Sequence, residues 1–305
     1  LGYPRPEFAH LPFVAEPGSK NKLSKRKLKK YLKDPEFARL QAEGEWIAER
    51  MGRSTDVETF NPVLVDFYQQ IGFLPDAVLN YLLLLGWSLD DSTELFTREA
   101  MIEAFNLERV NKAPASFDPA KLQAFQAKWF HKLDEKKKVA LCVPFLQQAG
   151  LVALPPDCDL APRLNEILRA AGDRVKIAGD ILRFDEFFVS DEALEYEEKP
   201  FAKRIHSLEV IDRLRRLSEQ FKELDSFDAA NCEAIVRSFV DAEGIKIGEI
   251  IHALRLSVTG KAKGVGMFET LAILGRDSTL HRMQRAMKKA EAQILPAADG
   301  QAEGD

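Results

Sequence analysis

The sequence predicts a mainly α-helical protein, with several helical bundles joined end to end. Three observations carry that reading. Apolar residues recur at 3.6-residue spacing in the second half, as in Leu208, Ile211, Leu214, Leu217, Phe221 and Leu224, and again in Cys232, Ile235, Val236, Phe239 and Val240. Helix punctuation is explicit, with proline at starts and glycine past ends. No strand-rich stretch of any length appears after residue 60.

The elements follow in order. Residues 1–19 carry Pro4, Pro6, Pro12, Pro17 and Gly18 and read as loops with a short strand. A very polar helical pattern runs from Tyr31 to Met51 and stops at Gly52. Pro75 opens a helix that Gly86 closes; its residues are apolar all round, which predicts a buried helix. Asp118-Pro119 is an N-cap with proline at the first helical position, ahead of Leu122, Phe125 and Trp129. Asp228 caps a further helix, Ile247–Leu256 reads as another, and short helices flank Gly275. The last ten residues, Pro296 to Asp305, are small, polar and acidic, the composition of a disordered tail. Breaks near Asp118 and Pro200 mark subdomain boundaries.

The 305 residues are 46% apolar and 30% charged, as in a soluble globular chain. The longest apolar run, Ala77 to Trp87, is interrupted by Asn80 and Gly86, short of what a membrane-spanning helix needs. Cys142, Cys158 and Cys232 lie far apart with no C-x-x-C spacing, which fits a reducing cytoplasm and argues against a zinc site. His10, His131, His206, His252 and His281 are equally scattered and read as surface or packing residues.

Net charge is −5, but its distribution matters more than its sum. Eight basic residues, Lys20, Lys22, Lys25, Arg26, Lys27, Lys29, Lys30 and Lys33, stand together with no acid among them. Arg282, Arg285, Lys288 and Lys289 form a second basic cluster, while acids gather at Glu192–Glu198. A charge run is either a solvated helix face or a polyanion-binding surface. Gly260-Lys261-Ala262-Lys263-Gly264-Val265-Gly266 lacks the order of a phosphate loop and follows no strand, so it reads as a helix-to-helix connection.

Lys22-Leu23-Ser24-Lys25-Arg26 resembles the K-M-S-K-S loop of class I aminoacyl-tRNA synthetases, in the K-L-S-K-R form of the glutamyl and glutaminyl enzymes. Its surroundings extend the likeness. Phe8-Ala9-His10-Leu11-Pro12 resembles the F-x-H-L-P lead-in. Gly72-Phe73-Leu74-Pro75-Asp76-Ala77, Leu79-Asn80-Tyr81-Leu82 and Leu85-Gly86-Trp87-Ser88 are similar to a G-Y-L-P-E-A-L-x-N-Y-L-x-x-L-G-W-S run. Glu108–Pro114, Phe117-Asp118 and Lys121-Leu122 resemble R-V-S-K-S-P-A-x-F-D-x-x-K-L. Leu254–Gly260, Leu274-Gly275 and Arg282 resemble the closing L-R-x-A-x-T-G … L-G … R pattern. The matches are collinear over about residues 5–290. The glutamyl-tRNA synthetase family fits better than the glutaminyl one, since no β-barrel is offered where an anticodon would be read.

The resemblance implies an organisation: the end of a Rossmann-type catalytic domain with a basic helical insertion at 1–60, a stem-contact helical domain at 61–117, then anticodon-binding subdomains at 118–200 and 201–295. It implies ATP with Mg2+ as cofactor, glutamate and tRNA as partners (glutamate tRNA, with glutamine tRNA also open), a monomer, and a cytoplasmic setting. Lys25 would contact the ATP phosphates, supported by Lys22, Leu23 and Ser24; Lys112, Arg174, Arg255, Lys261 and Lys263 would meet tRNA. Arg174 could equally be a surface arginine paired with a helix acid. The family's His-Ile-Gly-His signature is absent, as are the residues that would bind adenine and glutamate, so this sequence is expected to be a fragment inactive by itself. Against the glutamate-charging ligase stands a stand-alone tRNA-binding module without catalysis, and, more remotely, a helical interaction protein with no RNA role. Lys27–Leu64 intervenes where the family runs on quickly, and its basic start could touch tRNA backbone or lie solvated.

Overall fold

The computed structural model describes residues 3–5 and 8–294. It is helical as expected: thirteen α-helices and three 3-10 segments among the described residues, with isolated β-bridges in place of a sheet. The tail at 296–305 lies outside the described residues. The chain divides into two compact units, residues 1–155 with 173–182, and residues 156–172 with 183–305. Residues 173–182 return to the first unit. There Gln126 Nε2 donates to the Lys176 carbonyl at 2.9 Å, and the Gln126 oxygen accepts from the Leu74 amide at 2.8 Å.

In the first unit, α1 (Leu28–Tyr31) and α2 (Pro35–Arg50) replace the single helix expected from Tyr31. Asp34 breaks the pattern as an N-cap, accepting from the amides of Glu36 and Phe37, with Pro35 at the first position. Although polar in composition, α2 is not merely solvated. It buries Phe37, Leu40, Gly44, Ile47 and Ala48, one stripe at three- and four-residue spacing. The stripe packs on α3 (Val65–Ile71): Gly44 leaves room for the Phe67 ring, which an added Cβ would meet at 2.5 Å.

α4 (Pro75–Leu84) corrects the expectation of a helix buried on every side. Leu79 and Leu82 are each 43% exposed, on the rim of an apolar cleft of about 450 Å³ that Leu11, Phe13, Trp87 and Phe105 also line. Asn80, which interrupts the apolar run, is wholly buried. Its amide donates to the Glu94 carbonyl, and its oxygen accepts from Phe96 N and Trp129 Nε1, so it holds the loop ahead of α5 (Arg98–Ala104). α6 (Pro119–Lys132) packs on α4, and α7 (Glu135–Gln148) follows it. Asp118 caps α6 as expected, while its own amide donates to the Tyr81 hydroxyl at 2.7 Å.

The second unit contains α8 (Leu160–Ala171), α9 (Glu198–Arg204), α10 (Leu208–Lys222), α11 (Ala229–Glu243), α12 (Ile247–Thr259) and α13 (Met267–Ile294). Leu214, Leu217, Phe221, Val236, Leu254, Leu271 and Met283 belong to one buried cluster, so the predicted stripes of α10 and α11 meet there. Gly275, at φ +77°, breaks α13 where the sequence places a break. Gly260 ends α12 at φ +71°, and an added Cβ would stand 1.8 Å from the Glu195 carbonyl oxygen; only glycine admits that approach.

The Gly44–Phe67 contact yields a test of packing against propensity. Gly44→Ala adds a better helix former but forces the ring away, and we expect a net loss of about 1–3 kcal/mol, read as a lower urea midpoint.

Candidate functional site

The expected strand near the start of the chain is a pair of bridges: Ala15 faces Lys22 antiparallel and Ser116 in parallel. Pro12 and Pro17 lack the amides that would extend a ladder. Even so, the bridges define the site. The Ala15 amide donates to the Ala115 carbonyl at 2.8 Å, the Phe117 amide to the Ala15 carbonyl at 2.9 Å, and the Ser116 hydroxyl to the Glu16 carbonyl at 3.0 Å. The segment around Lys22–Arg26 is thereby tied to the Glu108–Asp118 segment, two motifs nearly a hundred residues apart in sequence.

The loop is closed by main-chain bonds from Glu16 N to Asn21 O at 2.8 Å and from Leu23 N to Val14 O at 2.9 Å. The Ser24 amide donates to the Tyr31 hydroxyl at 3.0 Å, and Lys25–Lys27 form a 3-10 turn. Beneath lies Glu16, fully buried. Asn21 Nδ2 donates to Glu16 Oε1 at 2.9 Å, Lys30 Nζ does so at 3.1 Å, and Lys27 Nζ stands 3.7 Å from Oε2. The Asn21 bond first, and the Lys30 ammonium second, hold the Glu16 carboxyl down at about 2, well below the usual carboxylate range.

The basic run is therefore not one surface. Lys27 and Lys30 are committed to Glu16, whereas Lys22, Lys25, Arg26 and Lys29 are exposed and make no ion pair among the described residues. Lys112 is exposed beside a shallow cleft shared with His10 and Leu107. Arg174 is exposed in a 3-10 turn, without an ion pair among the described residues; its neighbour Asp173 instead meets His131 at 3.3 Å.

In the second unit the predicted cations divide in the same way. Lys263 is exposed. Lys261 is not available as expected: its ammonium is ion-paired with Asp185 and with Glu186, which is buried, and donates to the Arg183 carbonyl at 2.8 Å. Arg255 donates to the Val265 carbonyl at 2.8 Å and is part-buried. The second basic cluster is divided too: Lys288 and Lys289 are exposed, Arg285 is part-buried and Arg282 is buried. Arg282, only 2% exposed, donates to Asp191 at 2.5 Å and to the carbonyls of Glu186, Val258 and Val189 at 2.9–3.1 Å. Arg285 donates to the Asp191 carbonyl and stacks on Tyr196, as does Lys289. These side chains fasten the Glu186–Tyr196 segment onto α13.

Sequence reasoning missed Glu16, Asn21, Tyr31 and Ser116. One signal was present for the first: Glu16 is the lone acid between Phe8 and Lys33. No group of three or more His, Cys, Asp or Glu side chains suited to a metal occurs among the described residues, and no helix there is long and apolar enough to cross a membrane.

A family model for the anticodon binding domain matches residues 137–287, and one for the catalytic domain of class I tRNA synthetases (E and Q) matches residues 59–124. Lys22–Arg26 falls outside both matched stretches. A glutamate–tRNA ligase of Moorella thermoacetica is 32% identical over 289 residues, covering 94% of this chain and 52% of that protein. One from Phocaeicola vulgatus is 32% identical over 283 residues, covering 93% and 51%. The crystal structure of a glutamate tRNA ligase from Elizabethkingia meningosepticum, in complex with its amino acid, superposes with a TM-score of 0.73 at 25% identity, over 95% of this chain and 53% of that one. The chain thus spans about half the length of the curated relatives it matches.

Arg282 supplies the test of the second unit. Arg282→Ala would leave Asp191 and three carbonyls without their donor, and we expect a loss of about 3–5 kcal/mol in urea unfolding. Arg282→Lys should recover little of it, because one ammonium cannot reach four acceptors in a fixed fork.

Proposed function

We propose that this chain, which belongs to the glutamate–tRNA ligase family over the stretch it shares with its relatives, supplies the ATP-phosphate loop and the tRNA-reading part of an enzyme that charges tRNA with glutamate. The observation that carries the reading is the pairing, in one chain, of an anticodon-binding match with a K-L-S-K-R loop whose cations Lys22, Lys25 and Arg26 are exposed and make no ion pair among the described residues.

The chemistry asks for this. When a carboxylate attacks the α-phosphate of ATP, negative charge builds on the departing pyrophosphate. A cation placed there lowers the transition state more than the ground state. Lys25 is assigned that contact, with Lys22 beside it and Leu23 and Ser24 shaping the loop. Mg2+ would accompany the ATP, held largely by the phosphates and water.

Recognition of tRNA is assigned by region. Residues 61–117 would meet the stem and residues 118–295 the anticodon, where unstacked bases can be read by stacking and edge contacts. Arg174, Lys112 and Lys263, each exposed, are assigned a share in that contact. Arg255 and Lys261 act within the protein, positioning the Gly260–Gly266 connection that carries Lys263. Glutamate tRNA is the assigned partner, with glutamine tRNA as a second substrate to be tested alongside it. The enzyme is read as a monomer acting in the cytoplasm.

Two measurements test this. Titration of the chain with glutamate tRNA, an anticodon-replaced version and an unrelated tRNA should show preference for the native anticodon, and an affinity that falls steeply with salt. Equal binding to all three would remove the anticodon assignment. In the full-length protein, Lys25→Ala should slow adenylate formation by at least about 100-fold while tRNA affinity stays within twofold. A parallel loss of both would make the loop a tRNA clamp instead.

A further inference from the structure

Of the eight lysines and arginines between Lys20 and Lys33, two are held from below by one buried carboxylate. A polyphosphate approaching this segment would meet a loop already organised. Its main chain is closed at Glu16–Asn21 and Val14–Leu23, and its central amide, that of Ser24, is held by a side chain from the next helix, Tyr31. Tyr31 is itself fixed: it is buried, and its ring stands 5.7 Å from that of Phe37, which lies 5.6 Å from Phe117. Phe117 belongs to the segment whose main chain pairs with Ala15. The brace therefore runs in a ring, from Ala15 and Glu16 through Lys30 and Tyr31 to Phe37, Phe117 and back.

We propose that Glu16 and Tyr31 are positioning residues for the phosphate loop, and that the start of the Lys27–Leu64 segment serves as its brace rather than as a tRNA-contacting surface. The inference rests on the reading of Lys25 given above. Its physical content is a division of labour. Glu16 engages Lys27 and Lys30 through their ammonium groups, while Lys22, Lys25 and Arg26, with Lys29, are exposed and make no ion pair among the described residues. Tyr31 fixes the Ser24 amide one residue before Lys25. Without these two contacts, Asn21, Lys27 and Lys30 lose their shared anchor and the outward lysines keep their charge but lose their place. Catalysis by electrostatic contact depends on that place, since displacement by about an ångström can cost as much as 100-fold in rate.

The test uses the full-length protein and reads ATP–pyrophosphate exchange, tRNA affinity and thermal midpoint for three variants. Glu16→Gln keeps the shape and the Asn21 contact but cannot ion-pair with Lys27 or Lys30. Tyr31→Phe keeps the ring stack but removes the acceptor for Ser24. We expect each to lower kcat for exchange by about 10- to 100-fold, with KM for ATP and tRNA affinity nearly unchanged, and the thermal midpoint nearly unchanged in Tyr31→Phe. Lys25→Ala is the control on the underlying reading. If Lys25→Ala abolishes exchange while both other variants stay within twofold of the parent, the positioning proposal is overturned and the loop assignment stands. If Lys25→Ala is also without effect, the loop assignment itself falls. Should Glu16→Gln fail to fold, Tyr31→Phe decides the matter: normal exchange in it overturns the proposal. Weakened tRNA binding in Glu16→Gln, with exchange intact, would identify the segment as an RNA contact and likewise overturn it.

Discussion

A carboxylate removed from water must be paired, and Glu16 is where that requirement organises the first unit. Its burial is tolerable because Asn21 and Lys30 satisfy one oxygen and Lys27 approaches the other. To reach it, the chain has to turn back on itself after Gly18, which brings Lys22 against Ala15 and lifts Lys25 and Arg26 onto an exposed 3-10 turn. The same strand-like residues accept the Ala115–Phe117 segment on their other side. The Glu16 residue thus contacts the loop, its neighbour α1, and the segment that leads into α6.

The second unit uses the opposite charge for a comparable purpose. Arg282 on α13 is enclosed by Asp191 and three carbonyls, and through them it ties the irregular Glu186–Asp191 stretch to α12 and α13. Irregular backbone has no ladder of its own, so its carbonyls need donors from elsewhere. A guanidinium, with five N–H groups in a rigid fork, is the side chain that can serve several at once. Lys261 plays a smaller version of the part, binding Asp185, Glu186 and the Arg183 carbonyl. Gly260 completes the arrangement by letting Glu195 approach within a distance that no side chain would permit.

These two centres change how the basic residues are understood. In both units a cluster of cations in the sequence separates into cations engaged with acids or carbonyls of the protein and exposed cations that make no ion pair among the described residues. Lys27, Lys30, Lys261, Arg282 and Arg285 hold the protein; Lys22, Lys25, Arg26, Lys112, Arg174 and Lys263 face solvent. The net charge of −5 does not by itself exclude a polyanion partner, because the distribution of charge matters more than its sum.

What the sequence determined by itself was local. Helix positions were legible from period and caps, at Pro75, Asp118 and Asp228, and at the Gly275 break, because capping and amphipathic spacing depend on residues a turn or less apart. The K-L-S-K-R loop was legible as a run of residue types. Charge pairing, by contrast, depends on which distant segment folds beneath, and only the tertiary structure decided that. Nothing in the string Arg282-Met283-Gln284-Arg285 distinguishes a buried hub from an RNA surface, and nothing local tells that Leu79 and Leu82 border an open cleft. Glu16 announced itself only as a solitary acid. Its role was settled when the fold placed it under two lysines from the following helix and beside a serine a hundred residues away, where burial, not sequence, made the pairing obligatory.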